Sequence, residues 1–501
     1  MKKEEKITNL EYLISESKNG FEKYKAHFKK LQENYLLQND NKEYFKKRNK
    51  SDIFIPKLNS KVKYLITSLN DVYFNSERMA DIESYINSDE EIITLWQKAL
   101  DFYTGNLNLF KTFQPLFLDV LVVGTSIAKI TWDKGFPKID RIGIDEIFFD
   151  PNATNNEDIS YIVNEIYLSY SQIEQRQKLG FYKKSDIDRK IDKSCEFKKN
   201  KLYDVYVKKD DDKWVVSTIF EGELLRDEIE LIDGQPFVWG FMLPQLNTID
   251  CDDFVCAYGE PVMASALPLQ KEINITRNLI IDAMRSALNP KVVLPKSAGV
   301  SREDLETIGK PVYTADVSAF STLPTPNINS ASANLSFLET ELTEVTGVSP
   351  QNNGAQTAKN ETATEISIKA QEGGRRSADY IRSYNETFVE PLFDRLAKLV
   401  FKYGNDEFFN NFAREDIPSF RFNIQTGTGA MNKEVQRAGL QASMQALSQI
   451  FSMYMNVGDA QSAYKIIKIN ETLLKQLLPI LGIKNINSLF GDENNEADLG
   501  N

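Results

Sequence analysis

Five prolines, Pro290, Pro295, Pro311, Pro324 and Pro326, crowd one short insert of a chain that otherwise reads as long helices and short strands. Proline fixes φ and donates no N–H, so neither a long helix nor a central strand can run through residues 290–327. The segments on either side have a helical period. Pro268 opens the first, where a missing N–H costs nothing. Leu269, Ile273, Ile280, Met284 and Leu288 then line one side, and Asn289-Pro290 stops it. The second, Ser330–Val345, has an apolar stripe of Leu335, Leu338, Leu342 and Val345, and its only charges are Glu339, Glu341 and Glu344. Gly347 ends it. Two helices joined by a proline-studded tip form a hairpin. Inside the tip, Lys291–Leu294 and Pro311–Thr314 read as extended, and Arg302–Thr307 as a short helix with Ser301 as N-cap.

The rest of the chain is mixed. Residues 1–50 hold thirteen Lys/Arg against eight Asp/Glu, with Leu10, Leu13, Ile14 and Phe21 at helical spacing, and predict one or two basic amphipathic helices. Pro56 marks the entry to another helix, with Val62, Leu65, Leu69 and Val72 on one face, and more helix follows from Ile92 to Leu121. At Gly124 the period changes to two. Thr125–Trp132 reads as a strand turned by Asp133-Lys134-Gly135, and Ile139–Ile147 as another. Tyr161–Tyr167, Leu202–Val207, Trp214–Phe220 and Phe237–Met242 add further strands, with turns at Asp210-Asp211-Asp212 and Glu221-Gly222. A helical layer followed by a mostly antiparallel sheet defines an α+β class. Beyond the hairpin, Ser349–Glu361 is a polar loop. A long helix, Thr362–Tyr403, is kinked at Gly373-Gly374, and a strand lies near Phe420–Gln425. Helices follow at Asn432–Met455 and Ala460–Leu478, and the acidic end, 491–501, reads as disordered.

Composition excludes more than it suggests. With 60 Lys/Arg against 72 Asp/Glu the net charge is −12, so a general basic surface for nucleic acid is absent. Three cysteines, Cys195, Cys251 and Cys256, are too few for a disulfide framework and indicate a reducing compartment. No run approaches the ~20 apolar residues of a spanning helix. The single histidine, His27, lies in a lysine- and aromatic-rich stretch and reads as surface or packing, which removes most triad and His-metal chemistry. There is no phosphate loop and no G-x-G-x-x-G. Neither a cofactor nor a bound metal is expected, nor an enzyme. Asp145, Glu146 and Asp150 could be imagined as a metal-dependent nuclease set, but they fall in a strand-to-turn passage without a catalytic lysine pattern.

The order of helix, proline-rich insert, returning helix, polar loop and long kinked helix resembles the portal (head-to-tail connector) proteins of tailed bacteriophages, most of all those of short-tailed phages. Val122–Trp132 is similar to that family's glycine-to-strand passage, and Asp145–Ala153, with Phe149-Asp150-Pro151, to its aromatic–Asp–Pro turn, followed by Glu157-Asp158. Tyr258-Gly259-Glu260-Pro261 leading to Leu269–Asn274 resembles the start of its first stem helix. Thr346-Gly347-Val348 and Thr362–Ile366 bracket the stretch corresponding to its channel loop, and Pro391-Leu392 matches a Pro-Leu pair in its long helix. The likeness covers roughly residues 50–460.

The resemblance implies a ring, usually of twelve copies, around a channel for double-stranded DNA at one capsid vertex. It implies a wing (1–255), a descending stem helix (256–289), a small α/β clip (290–327) and an ascending stem helix (328–348). A channel loop (349–361), the long helix with a return strand (362–430) and a helical crown (431–490) follow. Expected partners are further copies of the chain, the terminase large subunit, adaptor and tail proteins, and capsid and scaffold proteins, in the virion and, during assembly, the host cytoplasm, with no membrane. A sliding channel must not grip phosphates, because each neutralised phosphate adds salt-dependent affinity. The lining candidates are Gln351, Asn352, Asn353, Gln356, Lys359 and Asn360 of the loop and Glu339, Glu341 and Glu344 of the stem, on its inner or its outer face. In the clip, Lys291, Lys296, Arg302 and Lys310 balance Glu303, Asp304, Glu306 and Asp316, which suits protein docking; Lys296, Arg302, Glu303, Asp304 and Lys310 are the docking candidates. Arg375-Arg376 reads as solvated. The alternative is a non-enzymatic cytosolic α+β scaffold or adaptor without a DNA channel.

Overall fold

The structure, a computed structural model, describes residues 3–37, 50–74, 78–84, 90–183, 198–209, 212–245, 255–288, 292–293, 321–322, 329–347, 378–405, 420–424 and 447–451. Helices α1 (Lys3–Tyr35) and α2 (Lys57–Phe74) lead to strand β1 (Ala80–Ser84), then α3 (Glu90–Gly105) and α4 (Leu109–Val122). Strands β2 (Thr125–Asp133), β3 (Phe136–Arg141), β4 (Ile147–Phe149) and β5 (Tyr161–Ser169) follow, then α5 (Tyr170–Lys178). Next come β6 (Lys199–Lys208), β7 (Trp214–Phe220), β8 (Glu223–Leu231) and β9 (Phe237–Phe241). The hairpin is α6 (Leu267–Leu288), β10 (Val292–Val293), β11 (Ser321–Thr322) and α7 (Asn329–Thr346), and α8 (Glu390–Tyr403) and β12 (Phe420–Ile424) come last. The chain divides into two compact units, one of residues 1–21, 64–260 and 362–501, the other of 22–63 and 261–361.

In the first unit every strand pair is antiparallel, as the alternation predicts. Its sheets run β3-β2-β9, β4-β5-β6-β7-β8 and β1-β12. The turn after β2 places Lys134 (φ 51°) and Gly135 (φ 86°) in left-handed conformations, the geometry a two-residue hairpin needs to match strand twist. Glu221 and Gly222 do the same between β7 and β8. The single strand expected over Ile139–Ile147 is instead two. The chain leaves β3 at Arg141, and a turn in which the Gly143 N–H donates to Glu146 Oε2 (3.0 Å) delivers β4 to a different sheet. Strands β1 and β8 and helix α5 were not anticipated. α5 is announced only by its cap, where Ser169 and Gln172 bond each other's backbone N–H groups.

The core lies where α4 and the helix ahead of α8 meet β2. Phe113, Phe117, Tyr384 and Phe388 are fully buried and stack or meet edge-on. The polar atoms there are satisfied: Tyr384 Oη donates to Ser126 Oγ (3.1 Å), which donates to the Leu116 carbonyl (2.6 Å). Residues 378–384 are α-helical, Asn385–Val389 form one π-turn, and α8 follows with Pro391 in its first turn. The wide turn, closed by the Glu390 N–H on the Asn385 carbonyl, is where the helix accommodates a proline that would otherwise collide with the preceding turn. It is also where β9 docks. The Phe241 N–H donates to Thr387 Oγ1 (3.1 Å), and a Cβ on Gly240 would lie 2.6 Å from that of Phe388.

Two motifs singled out in the sequence meet in this unit. The Gly259 N–H donates to Thr125 Oγ1 (2.9 Å), and a Cβ on Gly259 would lie 2.7 Å from the Gly124 carbonyl oxygen. The passage around Gly124 and the approach to α6 are thus held close together, with glycine required by the closeness of the chains. In the same unit Glu165 is buried beside Lys18 (3.0 Å) and Lys201 (2.7 Å); His27, in the second unit, is exposed on α1. Burial pushes the Glu165 carboxyl up, but the bonds from Lys201, Tyr167 and Lys18 outweigh it and leave the group below the ordinary glutamate range.

Candidate functional site

The hairpin of the second unit is built differently from its sequence pattern. α6 and α7 pack on each other, burying Ile273 and Ile280 from one and Leu338 and Leu342 from the other. The expected apolar side of α6 is only half used: Met284 and Leu288 are exposed, Leu288 by 85%. In their place α6 buries a polar ladder, Gln270, Asn274 and Asn278, one residue per turn, continued by Asp282. Residues 51–58 run along this ladder. The N–H groups of Ser51, Ile53, Ile55 and Leu58 donate to Asp282, Asn278, Asn274 and Gln270, all at 2.8–2.9 Å. The amides also give back: Asn278 donates to the Ile53 carbonyl (2.9 Å) and Gln270 to that of Ile55 (2.8 Å). A helix thereby recognises a main chain as a neighbouring strand would, and Gln270 takes one of the N–H groups that the first turn of α2 leaves unpaired. Replacing Asn278 with leucine strands both backbone groups of Ile53. The expected cost is about 2–3 kcal/mol, with faster hydrogen exchange at the Ile53 amide as the local readout.

Of the three glutamates of α7, Glu339 pairs with Lys57 (2.9 Å), and one turn on Lys61 donates to Thr343 Oγ1 (3.2 Å). Glu341 is half-buried and Glu344 exposed. Glu339 is thus an ion-pair partner of α2, its charge offset, whichever face it lies on. Burial, with Lys57 adding repulsion against the attraction of Glu339, pulls Lys61 from 10.5 to about 8. Because the unfolded chain holds that proton more tightly, stability rises as pH climbs from about 8 towards 10.5. Lys61→Met is expected to flatten that rise, read as the difference in urea midpoint between the two ends of the window.

The other candidates fall elsewhere. Gln351, Asn352, Asn353, Gln356, Lys359 and Asn360, and Lys296, Arg302, Glu303, Asp304 and Lys310, lie outside the described residues. So do the Gly373-Gly374 kink, Arg375-Arg376, Cys195, Cys251, the short helix 302–307, Pro311–Thr314, the acidic end, and the crown except for a helical turn at 447–451. In the insert, β10 and β11 pair antiparallel, so Val292–Val293 is extended as expected. The acids of the nuclease reading serve the backbone. Asp150 accepts the N–H groups of Asn152 (2.9 Å) and Ser160 (3.3 Å), and Glu146 that of Gly143. Among the described residues no group of three His, Cys, Asp or Glu could hold a metal ion, and no helix is long and apolar enough to cross a membrane. Cys256 is a buried thiol, pushed up to about 11 chiefly by burial.

Mixed helices and antiparallel sheets are compatible with the phage portal proteins, and comparison with known families identifies that class. Residues 133–498 match the family described as Phage SU10 portal protein, and the chain belongs to it. It is a portal protein of a tailed bacteriophage, a component of the virion. The match leaves the scaffold or adaptor without a DNA channel unsupported. No curated protein matches the chain.

Proposed function

We propose that the chain assembles into a ring, of twelve copies on the family pattern, whose channel passes double-stranded DNA during packaging and ejection, and that it does so as a structural part without catalysis. The observation that carries the ring is the outer face of the hairpin. α6 leaves Ile275 (55%) and Leu279 (57%) exposed one turn apart, and α7 leaves Phe337 exposed (61%). Apolar residues at helical spacing on two packed helices need a cover, and the neighbouring copy supplies it.

In this reading residues 1–255 form the wing, with Glu22–Lys63 folding alongside the stem. The stem is 256–289 and 328–348, the clip 290–327 and the crown 431–490. Gln351, Asn352, Asn353, Gln356, Lys359 and Asn360 brush the DNA without fixing it, with Glu341 and Glu344 as repelling acids and Glu339 contributing less because Lys57 offsets it. The clip charges Lys296, Arg302, Glu303, Asp304 and Lys310 meet the terminase large subunit and then the adaptor and tail proteins, while capsid and scaffold proteins hold the ring at its vertex. Electron microscopy of the purified protein tests the reading. Rings with a central hole, twelve-fold in top view, are expected; monomers or solid particles under every assembly condition overturn it.

A further inference from the structure

The first unit contains a cavity of about 1040 Å³ that the portal reading does not use. Its floor comes from β2, β6 and α8, and its walls from α5, β8 and the turn after β8. The charges lining it are unevenly satisfied. Asp204 is held by Arg226 (3.0 Å), Glu230 by Lys213 (3.3 Å) and Asp233 by Lys402 (2.7 Å). Among the described residues, three lining cations have no carboxylate bonded to them. Lys129 Nζ lies over the adjoining rings of Tyr206 and Phe237, 5.6 and 5.5 Å from their centroids. Arg176 bonds the Tyr182 hydroxyl (2.7 Å), and Arg395 bonds the carbonyls of Asp233 and Ile130. Against these three stands one lining carboxylate, Asp133, that is exposed and has no ion pair among the described residues.

A partly buried ammonium set over aromatic rings with no carboxylate bonded to it is favoured by an added anion. Burial pulls Lys129 below the ordinary lysine value, and the attraction of Asp204, itself bonded to Arg226, only partly offsets it. Large apolar side chains stand exposed on the same lining: Leu179, Phe181 and Ile232, the last by 79%. A pocket lined by cations that bond no carboxylate among the described residues, with exposed apolar side chains around them, fits a carboxylate carried between apolar residues, rather than a bare phosphate.

The protein's own sequence contains such a segment. Leu489-Phe490-Gly491-Asp492-Glu493, continued by Glu496, Asp498 and Leu499, has four acids, no base and apolar residues at both ends. From Phe451, the last described residue, to Ser488 the intervening chain spans about 55 Å even as one straight helix, more than the width of a small domain. The geometry points to this cavity as the docking site of the acidic segment 489–499, with a carboxylate against Lys129 and Arg176 and the apolar residues against Phe181 and Ile232. The acid-rich end of the chain is then a tether onto the sheet unit. This inference does not depend on the ring.

Carbodiimide coupling of the full-length protein tests it, because the reagent joins a lysine to a carboxylate only in direct contact. Lys402–Asp233 and Lys201–Glu165, both at 2.7 Å, are the built-in positive controls. Peptide mass mapping is expected to show Lys129 joined to Asp492, Glu493, Glu496 or Asp498. Both controls coupled with Lys129 left unjoined to the segment overturns the proposal. A second arm keeps the chain length and removes the charge, through Asp492→Asn, Glu493→Gln, Glu496→Gln and Asp498→Asn. Amine labelling of Lys129 is expected to quicken about fivefold in that variant, since a tethered ligand acts at high effective concentration. Equal labelling rates in the two proteins also overturn it.

Discussion

Changing Ile275 and Leu279 together to aspartate is expected to abolish ring formation while leaving a folded chain. Both residues are more than half exposed on α6, and neither belongs to the Gln270–Asn274–Asn278 ladder or to the Ile273 and Ile280 contacts with α7. Exposed substitutions away from such features usually shift stability by only about ±0.5 kcal/mol, so circular dichroism and the urea midpoint should change little. At a subunit contact the same change buries two carboxylates among apolar groups, and central interface residues commonly carry about 2 kcal/mol or more each. In a closed ring each copy repeats that loss with its neighbour, which moves a stable assembly to monomers. Light scattering behind size-exclusion chromatography reads the outcome. Rings of unchanged mass would show that this face of the hairpin is not the contact between copies.

Gly259→Ala should be the most damaging single methyl group in the first unit. An added Cβ there falls 2.2 Å from Phe241 Cβ, 2.7 Å from the Gly124 carbonyl oxygen and 2.8 Å from that of Leu243. None of these is the far end of a flexible side chain. The chain must therefore shift, and with it the Gly259 N–H to Thr125 bond and the bridge between Pro244 and Gly259. Overpacking of this kind costs about 3 kcal/mol. The measurement is the shift in urea midpoint at unchanged slope. Ala at Gly105, where nothing lies within 4 Å of the added carbon, is the control and should be close to neutral.

Periodicity revealed the strands and helices but not what two of them bury. Thr125–Trp132 and Trp214–Phe220 are short runs rich in β-branched and aromatic residues between turns, and the strands lie where those runs put them, with several successive residues of each buried. β1 was missed because Ala80–Ser84 is short and half polar, and its partner Phe420–Ile424 is more than three hundred residues away, a pairing no local signal reports. β8 was missed because Glu223–Leu231 carries four acids and an arginine, which break the apolar alternation. On α6 the error has a chemical cause. Asn and Gln at four-residue spacing read as a solvated face, yet each amide offers a donor and an acceptor that together satisfy a backbone as water would. A run of Gln270, Asn274 and Asn278 beside an extended, proline-marked stretch such as Ile53–Pro56 was the available signal. Glu339 was open to both readings because nothing local shows that Lys57, nearly three hundred residues away, reaches it.

The amide ladder has one more consequence. Gln270, Asn274 and Asn278 grip the main chain of residues 53–58 and not its side chains, and they are neutral. Dissolved ions weaken attractions between charges, but they hardly touch a bond between two uncharged dipoles shielded from water. A fastening made this way holds equally in dilute buffer and in the dense counter-ion cloud that travels with packed nucleic acid. It also tolerates drift in the letters of the fastened stretch, so the amides on α6 are the part that must stay the same.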